Sequence, residues 1–184
     1  YDPTFAYEMA VIIQDGLRRM YQDQESVFYY ITMMNENYRQ PAMPKGAEDG
    51  IRRGMYLLQK GGRGKKRVQL MGSGTILIEV MAAAELLKDD WGIDSDVWSC
   101  PSFTELRRDG IDCERWNLLH PEETPRVPYV RQCLEGHAGP VVASTDYVRA
   151  FADQVRPYVD RDFTVLGTDG YGRSDTRENL RRFF

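Results

Sequence analysis

Val68-Gln-Leu-Met71, Gly72-Ser-Gly74, Thr75-Ile-Leu-Ile-Glu-Val-Met-Ala-Ala-Ala-Glu-Leu-Leu-Lys-Asp89 and, beyond Gly92, Asp96-Val-Trp-Ser-Cys100 decide the fold. The first piece is a short apolar run ending in glycines and predicts a buried strand. The alanine- and leucine-rich piece places Ile76, Val80, Ala83, Ala84 and Leu87 on one helical face, and Gly92 is a stop signal. Asp96–Cys100 predicts the next strand. Strand, helix and strand in about 33 residues is the spacing of a parallel crossover unit.

Outward from that unit the alternation continues. A helix is predicted over 4–22, with Asp2-Pro3 at its start. Ser26–Met34, rich in aromatic and β-branched residues, predicts a buried strand. A loop rich in Asn, Pro and Gly follows over 35–46 and marks a domain boundary. A short helix is expected near Ala47–Arg53. Strands Met55–Leu58 and Val68–Met71, joined by the glycine- and cation-rich turn Lys60–Lys66, predict a hairpin. Ser102 caps a helix running through Leu106, and Val127–Leu134 is a further short helix. Val141–Ser144, Asp146–Val155 and Phe163–Leu166 read as strand, helix and strand. Asp175 followed by Glu178 has the spacing of a capping box. The fold class is therefore α/β, a mostly parallel sheet with helices on both faces.

The composition excludes several classes of protein. The 184 residues are 42% hydrophobic and 28% charged, with a net charge of −4, the profile of a globular domain with a real core. A pI near 5.3 gives no electrostatic case for nucleic acid. No apolar run approaches the roughly 18 residues of a membrane span. Cys100, Cys113 and Cys133 are an odd set without paired spacing, which predicts free thiols and fits a reducing cytoplasm. His120 and His137 lie outside metal-ligand spacing from any cysteine. Chemistry is sparse. Gly72-Ser-Gly74 begins a dinucleotide fingerprint, but Leu77 stands where its third glycine belongs, so a structural turn is expected. His120 is read as a packed or interface histidine rather than a general acid or base, and Phe103, Trp116, Leu118 and Leu119 as an interface cluster. The loop Asn35-Glu-Asn-Tyr-Arg39 is denser in polar groups than a connector needs, and it follows a predicted strand end, where ligands bind in parallel sheets.

Seven segments together resemble one family: Tyr1-Asp-Pro-Thr-Phe-Ala-Tyr-Glu8, Tyr29-Tyr-Ile-Thr-Met-Met-Asn-Glu-Asn-Tyr38, Ser102-Phe-Thr-Glu-Leu106, Asp112-Cys-Glu-Arg-Trp-Asn117, Glu123-Thr-Pro-Arg-Val-Pro-Tyr129, Ala143-Ser-Thr-Asp-Tyr147 and Gly167-Thr-Asp-Gly-Tyr-Gly-Arg-Ser-Asp175. They are similar to the homodimeric bacterial pyruvate dehydrogenases, in order and over essentially the whole chain. The resemblance implies a transketolase-like C-terminal domain at 47–184, preceded at 1–46 by the tail of a pyrimidine-binding middle domain. It implies a parent that uses thiamine diphosphate and magnesium to decarboxylate pyruvate. The acetyl group then passes to the lipoyl group of a dihydrolipoamide acetyltransferase. Thr168-Asp-Gly170 lacks the asparagine of the family's metal–diphosphate motif, so no catalytic, cofactor or metal residue is expected in this stretch. Its role would be dimerisation and partner docking. Asn35, Glu36 and Tyr38 are the substrate-channel candidates, because the family places that strand end at its substrate funnel. The first residue, Tyr1, and a helix that has barely begun at Phe184 predict a piece of a longer protein. A free-standing α/β interaction domain without catalysis is the alternative expectation, and a nucleotide-binding domain using Gly72-Ser-Gly74 a weaker third.

Overall fold

The computed structural model describes residues 1–34 and 37–183, apart from the side chain of Arg181. Its strands are β1 (Tyr56–Gln59), β2 (Arg67–Gly72), β3 (Asp94–Ser99), β4 (Val141–Val148) and β5 (Phe163–Thr168). They form one sheet in the order β1-β3-β2-β4-β5. β3, β2, β4 and β5 are parallel neighbours, and β1 runs antiparallel on the edge beside β3. Val68–Cys100 forms the expected crossover, with helix α3 (Ile76–Trp91) between β2 and β3. Gly72 is required there: a Cβ on it would stand 2.9 Å from the Leu77 Cα, so only glycine lets α3 sit this close to β2.

Alternation along the strands separates two layers. Val68, Leu70 and Val97 face Leu77 and Val80 of α3, together with Phe5. Met71, Trp98, Val141, Ala143 and Phe163 face the other way. There they meet Phe103 and Leu106 of α4 (Phe103–Leu119), Val130 and Leu134 of α5 (Tyr129–Leu134), and Ala152 of α6 (Arg149–Asp153). Fully burying one such side chain is worth about 1.5–3 kcal/mol. The layer on the α3 side is incomplete. α3 covers β2 and β3, whereas Val142, Ser144 and Leu166 border an open groove of about 700 Å³ with Lys65 and Lys66 at one end.

Four sequence expectations are corrected. β1 and β2 do not form a hairpin, because β3 lies between them. The loop at 60–66 crosses the start of β3 instead, and its glycines let backbone and carboxylates approach closely. Gly61 N–H donates to Asp96 at 2.8 Å and Gly64 N–H to Asp94 at 2.5 Å. Ser26–Met34 is not a buried strand. It alternates in burial, with Tyr29 and Ile31 on the core side and Phe28, Tyr30 and Met33 72–87% exposed. It pairs with Tyr1: Tyr1 N donates to Tyr30 O, and Thr32 N–H donates to Tyr1 O. The helix capped by Ser102 runs on to Leu119, because Leu106, Gly110 and Cys113 keep the helical spacing of the buried face through the charged run. The last helix, α7 (Arg177–Phe183), is capped by Thr176, whose Oγ1 accepts the Asn179 N–H at 3.3 Å; Glu178 pairs with Arg182.

Candidate functional site at the carboxyl edge of the sheet

After β2 the chain passes to β3 on one side, and after β3 it returns to β4 on the other side of β2. The strand order therefore reverses between the carboxyl ends of β2 and β4, where open α/β sheets keep their ligand crevice. Here Asp2 and Thr4 of the same chain fill it. Gly74 N–H donates to Asp2 O at 3.0 Å, and Thr4 Oγ1 donates to Gly74 O at 2.7 Å. Asp2 N–H donates to Pro101 O at 2.7 Å. The Asp2 carboxylate accepts Tyr147 OH, from the irregular last stretch of β4 between Ser144 and Val148, and Thr32 Oγ1, both at 2.8 Å. Burial and the Asp2 carboxylate push the Tyr147 phenol up to about 12.

Helix α1 (Ala6–Leu17) begins at this crevice. Glu8, Val11, Ile12 and Asp15 recur at helical spacing on its buried face. Glu8 is fully buried and accepts four hydrogen bonds. Its Oε2 takes the N–H groups of Thr4 and Phe5, at 2.5 and 2.9 Å. Its Oε1 takes Tyr56 OH at 2.6 Å and Ser99 Oγ at 2.5 Å. Those donors fill the acceptor capacity of a carboxylate. Tyr7 OH lies 2.7 Å from Tyr56 OH; with the Tyr56 proton on Glu8, Tyr7 is the donor. Burial raises both phenols, Tyr7 to about 12, and the Glu8 carboxylate pushes Tyr56 further upward.

Of the predicted site residues, Asn35 and Glu36 lie outside the described residues. Tyr38 is half-buried, donates its hydroxyl to Thr4 O and packs 6.4 Å from the Phe5 ring, centroid to centroid. Gln40 accepts the Ala6 N–H at 3.0 Å. The fold therefore carries Tyr38 to the filled crevice. The interface cluster divides. Phe103 is a core residue, Leu118 and Leu119 are exposed, and His120 stacks on Trp116 at 3.7 Å.

Sequence reasoning missed Asp2, Glu8, Tyr56, Ser99 and Tyr147. The available signal was Glu8 sharing a helical face with Val11 and Ile12. It also missed a second polar cluster at the opposite edge of the sheet. There the buried Asp96 carboxylate accepts His137 Nδ1 at 2.8 Å, Arg67 at 2.7 Å and Gln69 at 3.1 Å, besides Gly61 N–H. Burial alone would raise Asp96, but these donors hold it well below the usual carboxylate range.

A parallel sheet with its reversal between β2 and β4 and a glycine turn at Gly72–Gly74 defines a class. Residues 54–184 match the model of the transketolase-like TK C-terminal domain, and the chain belongs to that family. Residues 1–41 match the pyruvate dehydrogenase E1 component middle domain. Over its whole length the chain is 64% identical to the pyruvate dehydrogenase E1 component of Cupriavidus necator. It is 62% identical to that of Escherichia coli K12 and 60% to that of Pseudomonas aeruginosa. It spans about a fifth, 21%, of the length of those relatives.

Proposed function

We propose that this chain is part of a pyruvate dehydrogenase E1 component that oxidatively decarboxylates pyruvate with thiamine diphosphate and magnesium. The parent passes the acetyl group to the lipoyl group of a dihydrolipoamide acetyltransferase and acts as a homodimer in the cytoplasm. The observation that carries the reading is identity of 60–64% to three such components with every residue of the chain aligned. The proposed division is 1–46, the tail of the middle domain, and 47–184, the C-terminal domain. It is supported by two family matches that change over between residues 41 and 54.

The residues present do not fit the diphosphate and its metal. At the Gly72–Gly74 turn the Gly74 N–H, which would face a phosphate, is donated to Asp2 O, and Thr4 Oγ1 donates to the Gly74 carbonyl. Among the described residues no group of three or more His, Cys, Asp or Glu side chains could hold a metal ion. The part proposed for this stretch is structural: dimerisation, partner docking and support of one loop. Asn35, Glu36 and Tyr38 line the approach of the substrate. Tyr38 beside the strand-reversal crevice supports this, since ligands of open α/β sheets gather at that edge.

The test is Glu36→Gln in the full-length enzyme. Turnover should fall, or the KM for pyruvate or the lipoyl acceptor should rise, with the thermal midpoint unchanged. Wild-type kinetics would reduce the loop to a connector.

A further inference from the structure

The loop that carries Tyr38 is held at both stems by the first residues of the chain, and those residues are held by the sheet. On the incoming stem, Thr32 Oγ1 donates to Asp2 at 2.8 Å and Thr32 N–H to Tyr1 O at 3.0 Å. On the outgoing stem, Tyr38 OH donates to Thr4 O, and Gln40 Oε1 accepts Ala6 N–H at 3.0 Å. Behind this layer, Ser99 at the end of β3 reaches Thr4 through the Glu8 carboxylate, and Tyr147 reaches Thr32 through Asp2.

We infer that Ser99 and Tyr147 are positioning residues for the substrate-approach loop. Ser99 fixes Tyr38 through Glu8 and Thr4, and Tyr147 fixes Thr32 through Asp2. The inference rests on the proposed role of that loop. Both side chains act from outside it, and each does so through one carboxylate that also binds the loop or its support. Ser99 is fully buried, so its hydroxyl has no water to turn to. Losing one of its bonds shifts Glu8 rather than being replaced by solvent. Glu8, with all its acceptor positions filled, has one geometry, and removing the Ser99 donor on the sheet side frees it to move on the loop side. Asp2 holds Tyr147 and Thr32 on one oxygen, Oδ1, so losing either donor changes how that oxygen is shared.

The test uses the full-length enzyme with Ser99→Ala, Tyr147→Phe, Ser99→Thr and Tyr38→Phe, and the double variant Ser99→Ala/Tyr38→Phe. Ser99→Ala and Tyr147→Phe should each raise the KM for pyruvate about fivefold, the equivalent of one hydrogen bond, with kcat within about twofold. Ser99→Thr keeps the hydroxyl and should restore the KM. The double variant should be no worse than Tyr38→Phe alone, because both changes cut one chain of contacts. A raised KM in Tyr38→Phe beside wild-type values in Ser99→Ala and Tyr147→Phe overturns the positioning role and spares the loop. Strictly additive effects overturn it as well. Wild-type kinetics in Tyr38→Phe itself removes the loop reading and this inference with it.

Discussion

The two edges of the sheet solve one problem with opposite chemistry. Each uses a buried carboxylate to tie remote stretches of chain together. At the carboxyl edge Glu8 is satisfied by neutral donors: two backbone N–H groups, a phenol and a hydroxyl. At the amino edge Asp96 and Asp94 gather Arg67, His137 and Lys88 as well as glycine N–H groups. A hub held by neutral donors depends on geometry and burial. A hub held in part by the cations Arg67 and Lys88 also depends on charge and, where exposed, on salt. The first edge should therefore be the more sensitive to truncation, and the second the more sensitive to acid.

Glu8→Ala should have the largest effect. It leaves Tyr56, Ser99 and two N–H groups buried without an acceptor, at a cost of roughly 2–4 kcal/mol. Urea unfolding checks it. A loss below about 1 kcal/mol would mean that water replaces the carboxylate and would erase the contrast between the edges. Asp96→Asn should cost less, about 1–3 kcal/mol at neutral pH, and should change the acid limb. The Asp96 carboxyl titrates lower in the folded state than its unfolded value of about 3.9. Its stabilisation is thus complete above that pH and is lost as the pH falls below it. Stability measured between pH 6 and 3 should fall less steeply in the variant than in the parent. Tyr7→Phe should be the mildest, about 1 kcal/mol or less, and should act on the alkaline side. The folded phenol is raised to about 12, so its contribution is whole below an unfolded value of about 10 and is lost as pH rises through the folded one. An unchanged alkaline limb in this variant would show that the carboxyl edge does not sense pH through Tyr7.

The crossover unit was legible because each of its parts is local. Glycines at 72, 74 and 92 bracket one apolar helical face, and short apolar runs flank it. The hairpin reading failed for the opposite reason. Tyr56–Gln59 and Arg67–Gly72 are adjacent in sequence, but pairing is decided by which strand enters between them, and β3 comes from beyond α3, beginning at Asp94. Ser26–Met34 has the alternation of a strand, yet a strand is defined by its neighbour. Its cross-chain backbone pairing among the described residues is with Tyr1, too little to make a strand. The polar loop around Tyr38 was visible as composition. Its attachment to the strand-reversal crevice was not, since Thr4 and Tyr38 are 34 residues apart.

The sequence by itself determined the α/β class, the parallel core, the free cysteines and the family to which the segments from Tyr1 to Asp175 point. These follow from residue type, period and local spacing, which need no partner to be read. Only the tertiary structure decided that the crevice between β2 and β4 is filled by Asp2 and Thr4. It alone showed that Glu8 joins α1 to β1 and β3, and that Asp96 gathers His137, Arg67 and a glycine loop. A carboxylate acquires its role from the donors brought to it in space. Chain separations of 48 residues for Tyr56 and 91 for Ser99 leave no trace in the local pattern around Glu8.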